Sequence, residues 1–271
     1  MQFQNRHHFL QLDHRHPHDG SPGRYGRRST GRRRYRGAVR QKTGENYFDE
    51  SGEYLSDADT REAVECAETY QSAAESYIHY KIGDFAAAAK SMRESLALCE
   101  LLADDYGYPL ETRRVHLTRN IARVLASSGD REEALRISAR LLEYIGGVEA
   151  AWPMPYEGPP RRAHLDNDSA VFILDQVVAE IVRLMQPNDP AARANLSAVT
   201  RARAALDAAR APAQFRRASH CLAACTAWAT GDVDCFLDEA AAFFEGGRQS
   251  FDFTWLELER QFLDLAGLSP S

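Results

Sequence analysis

Glycine followed by aspartate occurs three times in register with helical patterning, at Gly83-Asp84, Gly129-Asp130 and Gly231-Asp232, each time between two Ala-rich segments. Glycine accepts the left-handed conformation that closes a helix C-terminus, and an aspartate carboxylate accepts hydrogen bonds from the free amides that open the next helix. Each pair therefore predicts one helix stopped and another started within two residues, which makes an αα-hairpin. Before Gly83, residues Ala63, Cys66, Ala67, Tyr70, Ala73, Ala74 and Tyr77 fall on one helical face. After it, Phe85, Ala88, Met92, Leu96 and Cys99 do the same, so two apolar stripes meet at a tight turn.

Counted from its glycine, the first hairpin carries Ser76 seven residues before, Phe85 two after, Ala88 five after and Ser95 twelve after. The second carries Ala122, Arg131, Ala134 and Leu141 at the same positions, and the third Ala224, Val233, Phe236 and Phe243. This spacing of small and bulky positions resembles the tetratricopeptide-repeat (TPR) superfamily. Arg131 departs from it at the bulky position and Phe236 at the alanine position. The glycines at 83 and 129 stand 46 residues apart, and those at 129 and 231 stand 102 apart. Against a family repeat of about 34 residues, the hairpins are longer or irregular.

A fourth hairpin without the motif fits in the second interval, with Val171 to Met185 as an apolar helix, Pro187-Asn188-Asp189-Pro190 as a turn and Ala191 to Arg210 as an Ala-rich helix. Asp189 followed by Pro190 is a strong helix start. The run after Phe251, with Trp255, Leu258, Phe262 and Leu265, predicts a final helix covering the exposed end of the stack. The periodicity thus gives about nine helices and no strand. The resemblance implies an all-α, TPR-like right-handed superhelix of stacked antiparallel hairpins.

The net charge of −6 conceals two materials: residues 1–42 hold ten Arg and one Lys against two Asp, a charge of +9, leaving −15 for the rest. With few aliphatic residues, the first segment cannot bury enough surface to order itself, so a disordered tail is predicted over 1–45 and a helical-repeat domain over 46–271. Arg27, Arg28, Arg32, Arg33, Arg34 and Arg36, interleaved with Tyr25 and Tyr35, suit nucleic-acid phosphates and base stacking. The most apolar run is interrupted by Asp175, Gln176, Glu180 and Arg183, and the N-terminus lacks the apolar core of a secretion signal. A cytoplasmic location and no membrane partner are expected.

Five cysteines, an odd number, argue against a disulfide framework. Cys221 and Cys225 lie one turn apart with His220 adjacent and Cys235 near, but without a Cys-x-x-Cys pair they read as small buried residues rather than metal ligands. His164, Asp166 and Asp168 precede a strong helical pattern, where Asp and Ser are capping residues. The chain has no phosphate-binding loop with Lys, no His-Glu-x-x-His and no Gly-x-Ser-x-Gly. No catalytic residue, metal or cofactor is expected.

Ahead of Gly129, His116, Arg119, Asn120 and Arg123 fall on one helical face, while Leu110, Leu117, Ile121, Val124 and Leu125 gather on another. The cationic stripe is predicted to face away from the core. In TPR proteins the first helix of each hairpin lines a groove, and Asn and basic residues there hold peptide carboxylates, an arrangement that Arg119, Asn120 and Arg123 resemble. The equivalent face of the first hairpin offers Tyr77 and Tyr80, and that of the third offers Cys221, Cys225 and Trp228. The expected function is therefore a non-enzymatic protein–protein interaction scaffold or adaptor taking an acidic or partly apolar peptide. An ordinary solvated face is the plain alternative. Two rival functions are nucleic-acid attachment through the tail and small-molecule or peptide sensing in the groove. Between 146 and 167 runs a long loop with Trp152 and Tyr156, which either plugs the groove or is pinned on the nearest helix pair.

Overall fold

The three Gly-Asp steps fold alike in the computed structural model, which describes residues 61–209 and 213–267. Gly83, Gly129 and Gly231 have φ of +84°, +96° and +78°. At each step the aspartate amide donates 2.9 Å to a carbonyl five residues back, at His79, Leu125 and Ala227, closing the preceding helix. The same aspartates then accept from the next helix, Asp84 from the Ala87 amide at 3.0 Å, Asp130 from Glu133 at 3.3 Å and Asp232 from Cys235 at 3.1 Å.

Among the described residues there are nine α-helices, two single-turn 3-10 helices and no strand. The α-helices are α1 (Arg61–Ile82), α2 (Phe85–Asp105), α3 (Glu111–Ser127), α4 (Arg131–Ile145), α5 (Asn167–Leu184), α6 (Pro190–Ala208), α7 (Ala213–Thr230), α8 (Val233–Glu245) and α9 (Asp252–Leu265). They belong to one compact unit, Glu50–Ser271. The tail 1–45, and with it the expected disorder, lies outside the described residues. No described helix is long and apolar enough to cross a membrane.

The motif positions make the hairpin seams. Ser76, Ala122 and Ala224 before the turns, Ala88, Ala134 and Phe236 after them, and Ser95, Leu141 and Phe243 further on are all completely buried. Phe236 fits where alanine is usual because α7 buries small residues, Cys221, Ala224 and Cys225, and turns the Trp228 ring onto it at 5.2 Å between centroids. Arg131, in the bulky position, reaches Asp189 at 2.6 Å and the Leu184 carbonyl at 3.0 Å, so it ties the start of α4 to the α5–α6 turn.

Three expectations need correction. The buried face of α1 runs through Glu65, Thr69, Ala73 and Ser76, leaving Tyr70 49% exposed. The α1–α2 seam is joined by hydroxyls donating to backbone carbonyls, Ser76 to Ala88 at 2.8 Å and Ser95 to Thr69 at 2.7 Å. Small polar residues thus sit in the seam and the aromatics go to its rim, where the Arg113 guanidinium stacks 3.9 Å above the Tyr70 ring. Second, α5 and α6 both form, with Asp189 capping Ala191 at 2.9 Å, but they barely touch. Instead α6 packs on α4 and α7, with Asn195 donating 3.2 Å to the Glu132 carbonyl. The reason is α5 itself, which is buried almost all round and takes α3, α4, α7 and α9 as neighbours.

Third, α9 does not cover the end of the stack. It lies along α5 in parallel register, Thr254 beside Asp175 and Gln261 beside Val182. Its Phe251 and Trp255 rings meet Phe243 and Phe244 of α8 at 5.6 and 4.5 Å.

Candidate interaction site

Helix α3 is buried on both of its faces. Leu117, Ile121 and Val124 enter the core as expected, and the α5 helix covers the opposite side. The cationic stripe is therefore not solvent-facing: Arg119 is 5% exposed, and Asn120 and Arg123 are buried with it. The Arg119 Nη1 donates to Asn120 Oδ1 at 3.0 Å, while its Nε is buried without a hydrogen-bond partner. Burial lowers the Arg119 pKa to about 10, partly offset by the Glu180 carboxylate, so the guanidinium stays charged at neutral pH.

The rest of the cluster comes from distant elements. Arg183 of α5 bridges Glu180 at 2.9 Å and Glu257 of α9 at 3.0 Å, and these two carboxylates hold its pKa above the ordinary value against the cost of burial. Arg123 lies 5.8 Å from the centroid of Tyr80, whose hydroxyl is 3.2 Å from Ser127 Oγ. Arg119, Arg123 and Arg183 thus share a neighbourhood with Glu180, and Arg183 reaches Glu257 as well.

Tyr80, Arg119, Asn120 and Arg123 come together, whereas Tyr77 and His116 stand apart. Tyr77 is half-buried with Lys81 Nζ 5.3 Å over its ring, and the His116 ring lies 5.8 Å from Phe172 of α5. Glu180, Arg183 and Glu257 were missed as members. The signal for the first two was present, because charged residues inside an otherwise apolar helix need partners when the helix is buried.

The long loop is pinned on the α3–α4 pair. Arg114 of α3, 1% exposed, lies between the rings of Trp152 and Tyr156, 4.3 and 4.4 Å from their centroids. Its guanidinium pairs with Glu111 at 2.6 Å and Glu100 at 2.8 Å, and Tyr144 donates to Glu111 at 2.7 Å. Farther along, Arg161 pairs with Asp104, and Arg162 donates to the Tyr144 and Ile145 carbonyls at the end of α4, at 2.8 and 2.6 Å.

The other candidates have structural settings. Asp166 accepts from the Ser169 amide at 2.8 Å and its hydroxyl at 2.7 Å, a helix cap. Cys221 and Cys225 are core residues and Cys235 is exposed, and among the described residues no three His, Cys, Asp or Glu side chains are grouped to hold a metal ion. Arg27, Arg28, Arg32, Arg33, Arg34 and Arg36 lie outside the described residues. An apolar cleft of about 230 Å³ runs between α8 and α9, lined by Phe244, Trp255, Glu259 and Phe262. Comparison with protein-family models, with curated proteins and with solved structures finds no match.

Proposed function

We propose that this chain is a TPR-like helical-repeat scaffold, non-enzymatic, that binds an acidic, partly apolar segment of another protein at the rim of the α3–α5 seam, beside half-buried Tyr80. The observation carrying the reading is the gathering of three guanidinium groups, Arg119, Arg123 and Arg183, at that seam. Arg119 keeps a buried Nε–H without an acceptor, beside Arg123, Arg183 and the Glu180 carboxylate. A buried donor without a partner costs roughly 1–3 kcal/mol, so opening the seam to admit a carboxylate recovers that cost as a hydrogen bond in addition to the charge interaction. Tyr80 adds an aromatic wall for the apolar part of the segment.

The test is affinity capture from the native cell extract with the whole chain and with Arg119→Gln/Arg123→Gln, both checked for equal melting temperature. Capture of one protein by the unmodified chain, with loss in the variant, is expected. Equal capture by the two chains refutes this site. The N-terminal arginines support a second reading, nucleic-acid attachment, through their charge of +9 over residues 1–42.

A further inference from the structure

The α9 helix is held on α5 by directed polar contacts as well as by apolar packing. Its N-terminus has no side-chain cap of its own. The amides of Phe253 and Thr254, which a capping residue would serve, donate instead to the two carboxylate oxygens of Asp175 on α5, at 3.1 and 2.8 Å. Of the three fully buried side chains within α9, two are polar and donate to α5 backbone: Thr254 to the Asp175 carbonyl at 3.0 Å and Gln261 Nε2 to the Val182 carbonyl at 2.7 Å, while Gln261 Oε1 is buried without a partner. The third is Leu258, and Glu257 beside it delivers its carboxylate to Arg183.

Thr254, Glu257, Leu258 and Gln261 stand at i, i+3, i+4 and i+7, one stripe of an α-helix. The α5 face is thus a reader of helices: an acid for the amides of a helix N-terminus, a guanidinium for a carboxylate one turn on, and a backbone carbonyl for an amide side chain. A helix of this length is marginal by itself in water, more so without its cap, so α9 is ordered by the face it occupies. Along its other edge, an aromatic cleft lies between it and α8.

We infer that α9 is a built-in ligand of the α5 face, and that a partner helix carrying the same hydroxyl, acid, leucine and amide stripe takes its place. This rests on the scaffold reading and deepens it, because Glu257 already supplies the Arg183 end of the cationic cluster with the carboxylate proposed for the partner. Release of α9 uncovers Asp175 and Arg183 together, and a partner helix meets both.

The probe is a fluorescein-labelled peptide of residues 250–267, added to the whole chain and to the whole chain carrying Glu257→Arg. That substitution turns the Arg183 contact repulsive within the chain and leaves the α5 face intact. An occupied face binds with its affinity reduced by the fraction open, so the Glu257→Arg chain should bind the peptide about tenfold more tightly or better. A peptide that itself bears Glu257→Arg should lose binding to both chains. Equal or absent peptide binding by two folded chains overturns the inference. Should the variant fail to fold, hydrogen exchange of the wild-type chain decides: α9 amides exchanging well ahead of those of α4 and α5 support it, and α9 exchanging only as slowly as α5 overturns it. The assay uses this chain alone, so it can fail while partner capture through Arg119 and Arg123 succeeds, and the reverse.

Discussion

Replacing Arg114 by Met tests one of the most deeply buried charges among the described residues. The side chain is 1% exposed and is held by Glu111, which is equally buried, and by Glu100, which is largely buried. Removing one member of a buried ion pair costs roughly 3–5 kcal/mol, because the remaining charge is stranded in a poorly polarisable interior. Methionine restores most of the volume between Trp152 and Tyr156 but no positive charge over their rings. For a domain of this size each kcal/mol moves the midpoint by roughly 2–4 °C, so a fall of about 6–20 °C is expected. Urea and thermal unfolding give the magnitude, and limited proteolysis between Pro153 and Pro160 reports whether the loop has come away. Adding Glu111→Gln to the variant removes the stranded carboxylate and should recover part of the loss, about 0.5–3 kcal/mol as a coupling energy. A loss for Arg114→Met below about 1 kcal/mol would refute the argument, since only a solvated network behaves that way.

Gly129→Ala should lose about 1–2 kcal/mol in urea unfolding; nothing lies within 4 Å of the added methyl, so the cost is the left-handed backbone alone, and no loss would contradict it. Asp175 has its pKa raised by burial, only partly opposed by the Thr254 and Phe253 amides. A raised folded pKa makes this group's contribution largest below the unfolded carboxylate range and lost as pH rises through the folded pKa. The stability of wild type relative to Asp175→Asn should therefore grow as pH falls from 7 into that range, and an unchanged difference would contradict the shift. Alkylation of the native chain near pH 8, followed by mass spectrometry, should modify exposed Cys235 first and Cys66 next. Cys99, whose pKa burial raises to about 11, and the buried Cys221 and Cys225 should follow last, and simultaneous labelling of all five would contradict the packing. Nucleic-acid binding by the whole chain should exceed that of residues 46–271 and fall steeply with salt, with equal binding removing the tail reading.

Within the candidate site, Arg119, Asn120 and Arg123 were legible as one stripe because 100° per residue fixes which side chains share a face. Their burial was not legible. It depends on α5 crossing that face and on α9 crossing α5, contacts between residues more than 50 positions apart in sequence. Glu257 joins the cluster only because α9 folds back along α5, and no local pattern carries that instruction.

The amino-acid sequence by itself determined the turns and caps: the left-handed glycines at 83, 129 and 231, the aspartates after them, and the starts at Asp166 and Asp189. Each is settled by atoms within about five residues, where backbone sterics and one hydrogen bond decide the outcome. It also determined the seam positions around each turn, since two helices joined by two residues must pack on each other. Only the tertiary structure decided that α6 leaves α5 for α4 and α7, that α1 presents Thr69 rather than Tyr70 and Tyr77, and that α9 lies on α5. Burial of apolar surface is non-directional, so a largely apolar, centrally buried helix such as α5 accepts any neighbour that fits. The choice among neighbours falls to shape and to a few polar groups far apart in the chain.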